Sequence, residues 1–131
     1  MTTVGIGVDI VSVHRVQEVI ERNGDRALER LFTPEEVEYC DRYADRFVRY
    51  AGRFAAKEAV AKALGTGFTE GVTFTRISIV NEPSGSPRVE LSAGAADLAR
   101  QRGIGRVLVS ISHETDRAVA FAVALSDGEQ R

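Results

Sequence analysis

The stretch Arg53-Phe54-Ala55-Ala56-Lys57-Glu58-Ala59-Val60-Ala61-Lys62-Ala63-Leu64-Gly65-Thr66-Gly67 decides how the rest of the chain is read. No Gly or Pro interrupts it before Gly65, and it is dense in Ala, Lys, Glu and Leu, the residues that lose least on entering a helix. It therefore predicts a helix that Gly-Thr-Gly stops. At about 100° per residue, Phe54, Glu58, Ala61, Lys62 and Gly65 fall on one stripe, with Arg53 and Lys57 well off it. An acid and a base thus share a side that is otherwise apolar or small. Two readings stand: a solvated i,i+4 ion pair, or a pair of working groups. Phe54 and Ala61 should face protein, and the backbone of Gly65-x-Gly67 lets a ligand come close; both favour the second.

Toward the N-terminus, residues 3–10 carry Val4, Ile6, Val8 and Ile10 at period two, a strand signal that leaves Asp9 on the opposite face. Asp is depleted within strands, so Asp9 either caps the next helix or binds something. Ser12 can take the capping role, which frees Asp9. Residues 13–22 form an amphipathic helix with Val13, Val16, Val19 and Ile20 inward and His14, Arg15, Glu18, Glu21 and Arg22 outward, ended by Asn23-Gly24. Residues 27–32 make a short helical turn, and Thr33-Pro34-Glu35-Glu36 is a capping box that opens another helix bearing Val37 and Cys40. A break at 43–45 leads into the long helix, which runs from about 46 to 64.

Beyond Gly67 the pattern turns to β. Residues 73–80 are β-branched and aromatic, 81–87 read as a turn and 88–91 as a returning strand, a hairpin. Ser92 caps a helix over 93–102 closed by Gly103. Val107, Val109 and Ile111 alternate with Leu108, Ser110 and Ser112, a turn falls at 114–117, and 118–125 alternate Ala with Val119, Phe121, Val123 and Leu125. The alanine strip Ala118, Ala120, Ala122 and Ala124 suits packing on the long helix within one chain, with a contact between copies as the second use. Residues 126–131 form a polar tail. The order β-α-α-α-β-β-α-β-β predicts one α+β domain over 1–131, a mainly antiparallel sheet packed against the long central helix.

A chain of 131 residues with 44% hydrophobic and 27% charged content is of ordinary globular make-up. A net charge of -2 removes any global reason to expect nucleic acid or an anionic membrane as partner. The longest uncharged apolar run, 118–125, is too short to span a bilayer, and Met1-Thr2-Thr3-Val4 lacks the basic start of a signal peptide, so a cytoplasmic protein is expected. Cys40, the single cysteine, excludes an internal disulfide and makes a cysteine-based metal site implausible; it reads as a small buried residue on a helix. Gly5-x-Gly7 lies inside a strand and lacks the third glycine of a dinucleotide fingerprint. His113, one of two histidines, stands after a strand and is read either as a packed or surface residue or as a working one.

Three motifs run in one order: Gly5-Ile6-Gly7-Val8-Asp9-Ile10, the helix Arg53 to Gly67, and Ser110-Ile111-Ser112-His113. With them the chain resembles the holo-acyl-carrier-protein synthases, small phosphopantetheinyl transferases, over nearly its whole length. The resemblance implies the 4'-phosphopantetheinyl transferase fold and transfer of the phosphopantetheine arm of coenzyme A to a serine of an acidic apo-acyl carrier protein, in support of fatty acid biosynthesis. It implies Mg2+ held by Asp9 and Glu58, a chemistry suited to two carboxylates with phosphate oxygens and waters completing an octahedron. Lys62 would meet a bridging phosphate, and Glu58, directly or through water, would take the serine proton. Coenzyme A contacts are implied for Arg53, Phe54, Lys62, Gly65, Thr66, Gly67 and His113. Arg15 and Arg22, outward on the first helix, are the basic residues for the carrier, although Glu18 and Glu21 share that region. A homotrimer with sites at subunit boundaries is implied as well. The rival readings are a transferase dedicated to another synthase and a noncatalytic coenzyme A or nucleotide-binding module; the intact Asp9, Glu58, Lys62 and His113 weigh against the latter.

Overall fold

A computed structural model of the chain describes residues 1–69 and 71–127. Helix α4, Arg46–Leu64, is the axis around which the other elements pack, and it ends where the sequence says it should. Gly65 caps it at φ 94°, a left-handed conformation that a residue with a Cβ adopts only at a cost, and the Arg102 guanidinium closes the cap by donating to the Leu64 carbonyl at 3.0 Å.

Ahead of α4 come β1 (Thr3–Ser12), α1 (Val13–Asn23), α2 (Asp25–Leu31) and α3 (Pro34–Asp41). The turn expected at 27–32 is thus a helix in its own right. Behind α4 follow a 3₁₀ turn (Phe74–Arg76), β2 (Ile77–Asn81), β3 (Pro87–Leu91), α5 (Ala93–Gln101), β4 (Ile104–His113) and β5 (Arg117–Ser126). Two antiparallel sheets result, one of three strands in the order β1-β5-β4 and one made of the hairpin β2-β3. The strand expected at 73–80 is shortened at its start because Phe74 turns inward, stacking on Phe54 at 5.3 Å and on Phe68 at 3.9 Å between ring centroids. Ser92 holds the N-cap position of α5 without a side-chain cap bond. Ser126 closes β5 rather than opening a tail, and residues 128–131 lie outside the described residues.

One face of the three-stranded sheet lies flat on α4. Ala120, Ala122 and Ala124 are buried there with Ala55, Ala59 and Ala63, and Ala118 is buried with Tyr50 and Ala51, so the alanine strip packs within the chain. Gly5 and Gly7 bring β1 onto the helix backbone: a Cβ on Gly7 would collide with the Ala59 carbonyl, and one on Gly5 with the Ala63 carbonyl. This small-residue seam sets the distance between β1 and α4. The other face of the sheet is open, with Ile6, Ile10 and Phe121 exposed.

On its far flank α4 buries Lys57, whose ammonium pairs with the fully buried Glu36 of α3. Glu36 also completes the capping box with Thr33 and accepts from the Ile79 amide at 2.7 Å. One carboxylate therefore ties α3, α4 and β2 together, both of its oxygens accepting as a buried charge requires.

Candidate active site

Asp9 sits late in β1 on the face that Gly5 and Gly7 share, so it points toward α4 and away from the exposed Ile6, Val8 and Ile10. Ser12 caps α1, its Oγ accepting from the Arg15 amide at 3.3 Å, and Asp9 is left for other work. Lys62 donates to Asp9 Oδ1 at 3.2 Å and to the Val8 carbonyl at 2.9 Å. The solvated Glu58–Lys62 pair is thus replaced by a contact between strand and helix. Glu58, half-buried one turn earlier, has its carboxyl pushed above the ordinary range first by burial and then by the Asp9 charge, with Lys62 opposing.

Asp9 and Glu58 line a cavity of about 640 Å³ whose walls also include Phe54, Arg15 and Arg117, and Lys62 stands just outside it, held against Asp9. Its size and mixed lining suit an extended small-molecule arm. Val19, expected inward, forms part of the wall instead. Among the described residues no three His, Cys, Asp or Glu side chains cluster, so any hard cation here would take two carboxylates from the chain and the rest of its shell from elsewhere. Two acids close enough that the Asp9 charge raises the proton affinity of Glu58 suit that role.

Arg53 and His113 meet elsewhere, around a recess of about 160 Å³ that Asn81 and Arg49 also line. Arg53 is buried, donates to Asn81, lies 4.1 Å over the Tyr39 ring, and keeps its Nε without a partner among the described residues. Gly65 borders a third opening with Lys62 and Arg102. Two of the glycine amides expected to meet a phosphate are engaged inside the chain, Gly65 donating to the Lys62 carbonyl at 3.0 Å and Gly67 to that of Ala61 at 3.1 Å. Arg22, on the last turn of α1, lines none of these openings. Arg117 was missed because its place beside Asp9 follows from β1 pairing with β5, where Ser12 faces Arg117; no local pattern carries that.

Residues 5–122 match the model of the 4'-phosphopantetheinyl transferase superfamily. A holo-[acyl-carrier-protein] synthase of Desulforudis audaxviator (strain MP104C) is 52% identical over 127 residues, 97% of this chain and 96% of that one. The chain belongs to the 4'-phosphopantetheinyl transferase superfamily. The solved holo-[acyl-carrier-protein] synthase of Neisseria meningitidis superposes on this transferase with a TM-score of 0.86 at 38% identity, over 93% of this chain and 98% of that one. That of Helicobacter pylori, solved in complex with coenzyme A, gives 0.82 at 34% identity over 92% and 99%. The α+β architecture around α4 is the phosphopantetheinyl transferase fold. Within the transferase, Asp9, Glu58 and Phe54 share one cavity, with Lys62 held against Asp9, while Arg53 and His113 share a separate recess of the same chain.

Proposed function

We propose that this transferase moves the 4'-phosphopantetheine of coenzyme A onto a serine of an acidic apo-acyl carrier protein in the cytoplasm, with Mg2+, as a step supporting fatty acid biosynthesis. The observation that carries the reading is the meeting of Asp9, Glu58 and Lys62 where β1 lies on α4, with both acids lining the cavity. The serine oxygen attacks the phosphorus that bears the pantetheine arm, the pyrophosphate P–O bond breaks, and adenosine 3',5'-bisphosphate leaves. Glu58, whose proton affinity is already raised, is placed to take the serine proton. Lys62 offers a point charge to the bridging oxygen as negative charge grows there. Asp9 and Glu58 would hold a magnesium ion, which when bound supplies charge neutralisation at the pyrophosphate. Phe54 walls the cavity for the arm, while the Arg53 guanidinium, with Nε unpartnered among the described residues, and His113 suit the nucleotide's phosphates. Gly65, Thr66 and Gly67 shape the approach to Lys62 rather than supplying a full cradle of amides.

A homotrimer, each protomer a single domain over 1–131, fits this division of labour. One copy would present the Asp9–Glu58 cavity and its neighbour the Arg53–His113 recess. The exposed sheet face is a ready seam, with Ile6 69%, Ile10 66% and Phe121 58% exposed. No helix among the described residues is long and apolar enough to cross a membrane.

The test is mass spectrometry of apo-carriers incubated with coenzyme A, Mg2+ and the protein. The wild type should add one phosphopantetheine, and Glu58→Gln and Asp9→Asn should fold yet lose turnover. Near-wild-type turnover in both at saturating magnesium would sink the assignment. Light scattering should report a species larger than the 14.3 kDa chain.

A further inference from the structure

Arg117 opens β5, and its backbone faces Ser12 across the β1–β5 ladder. Its Nη1 donates at 3.0 Å to the Asp116 carbonyl, which also accepts the Val13 amide at 3.0 Å. The guanidinium therefore lies back against the start of α1 and lines the same cavity as Asp9, Glu58 and Arg15. Arg15 and Arg117 are both exposed, and neither forms an ion pair among the described residues.

The acids of α1 itself are occupied. His14 approaches Glu18 at 3.2 Å, and Gln17 donates to Glu21 at 3.2 Å. The first turn of α1 contains no acid. Glu114 and Asp116, the acids beside Arg117 in sequence, make no salt bridge with it. Two guanidinium groups without an ion-pair partner thus line one cavity, and a matching pair of carboxylates would satisfy both.

We propose that Arg117 joins Arg15 as the docking pair for the acidic helix beside the carrier's serine, a reading that rests on the function proposed above. The carrier is favoured over the coenzyme as occupant because Lys62, Arg53 and His113 already supply positive or donor groups for the coenzyme's phosphates, while Arg15 and Arg117 stand at the solvent side. Arginine's planar fork suits carboxylates presented at fixed spacing. Arg22, which helical phasing also puts outward, is seven residues beyond Arg15 and thus roughly 10 Å further along α1, away from the cavity. The rim that delivers the serine is therefore built by one residue of α1 and one of β5.

Steady-state transfer with coenzyme A and an acidic apo-carrier tests this, at low and at moderate salt. Arg117→Glu should raise the carrier KM by about tenfold, as should Arg15→Glu, with a larger effect at low salt and an unchanged coenzyme A KM. Arg117→Gln should give a smaller rise, and a carrier with one acid beside its serine changed to Lys should regain affinity for Arg117→Glu. Circular dichroism on each variant confirms folding. An unchanged carrier KM in Arg117→Glu overturns the proposal, and so does a coenzyme A KM that rises in step, which would assign the guanidinium to the coenzyme's phosphates. A wild-type protein that transfers nothing to any carrier would instead remove the underlying function before any variant is compared.

Discussion

Gly7→Ala should uncouple the site from the fold. A methyl at Gly7 would sit 2.9 Å from both the Ala59 carbonyl carbon and the Ala63 amide nitrogen, with the Ala59 oxygen closer still. Those atoms are helix backbone and cannot rotate aside as a side chain would. Restoring ordinary contact separates β1 from α4 by roughly 1 Å. Forced overpacking of this kind costs about 1–3 kcal/mol, which for a chain of this length lowers Tm by roughly 4–12 °C. The catalytic consequence is larger, because Asp9 rides on β1 while Glu58 and Lys62 ride on α4. The Lys62–Asp9 contact, 3.2 Å in the native protein, would lengthen to roughly 4 Å and cease to be a hydrogen bond. A misplacement of that size at reacting groups costs on the order of 10²-fold in rate. The assay is phosphopantetheine transfer, measured well below the variant's Tm so that loss of fold is separated from loss of geometry. A Tm within about 2 °C of wild type together with turnover within about twofold would refute the claim that the glycine seam sets the spacing of the site.

Two further perturbations probe the buried side of α4. Lys57→Met leaves Glu36 buried and unpaired, so it should cost about 3–5 kcal/mol in urea unfolding, and Lys57→Met with Glu36→Gln should lose less than the sum of the two single variants; additive losses would show that the two charges do not act as a pair. Burial pushes the Cys40 thiol from 9.0 up to about 12, so its thiolate fraction at pH 8 is on the order of 10⁻⁴ and iodoacetamide should label it only after unfolding. The folded state then holds a proton that the unfolded chain releases, and stability should fall as pH rises from about 9 toward 12; prompt native labelling at pH 8 would contradict this.

What the sequence determined by itself was local. The capping box at Thr33–Glu36, the stop at Gly65, the side of β1 on which Asp9 stands and the burial of Cys40 each follow from a few neighbouring residues and the period of one helix or strand. The stripe through Phe54 and Glu58 located one wall of the cavity for the same reason. Tertiary structure decided the partners. Lys62 binds Asp9 rather than Glu58, because Gly5 and Gly7 admit β1 onto the helix backbone. Glu36 answers Lys57 as well as its own cap, Phe74 leaves the strand pattern for a stack with Phe54 and Phe68, and Arg117 reaches the cavity through the β1–β5 register. Each of these contacts joins residues far apart along the chain, and its energy comes from desolvation, close packing or charge in three dimensions. Periodicity records which face a residue occupies, and only the folded chain supplies what stands opposite it.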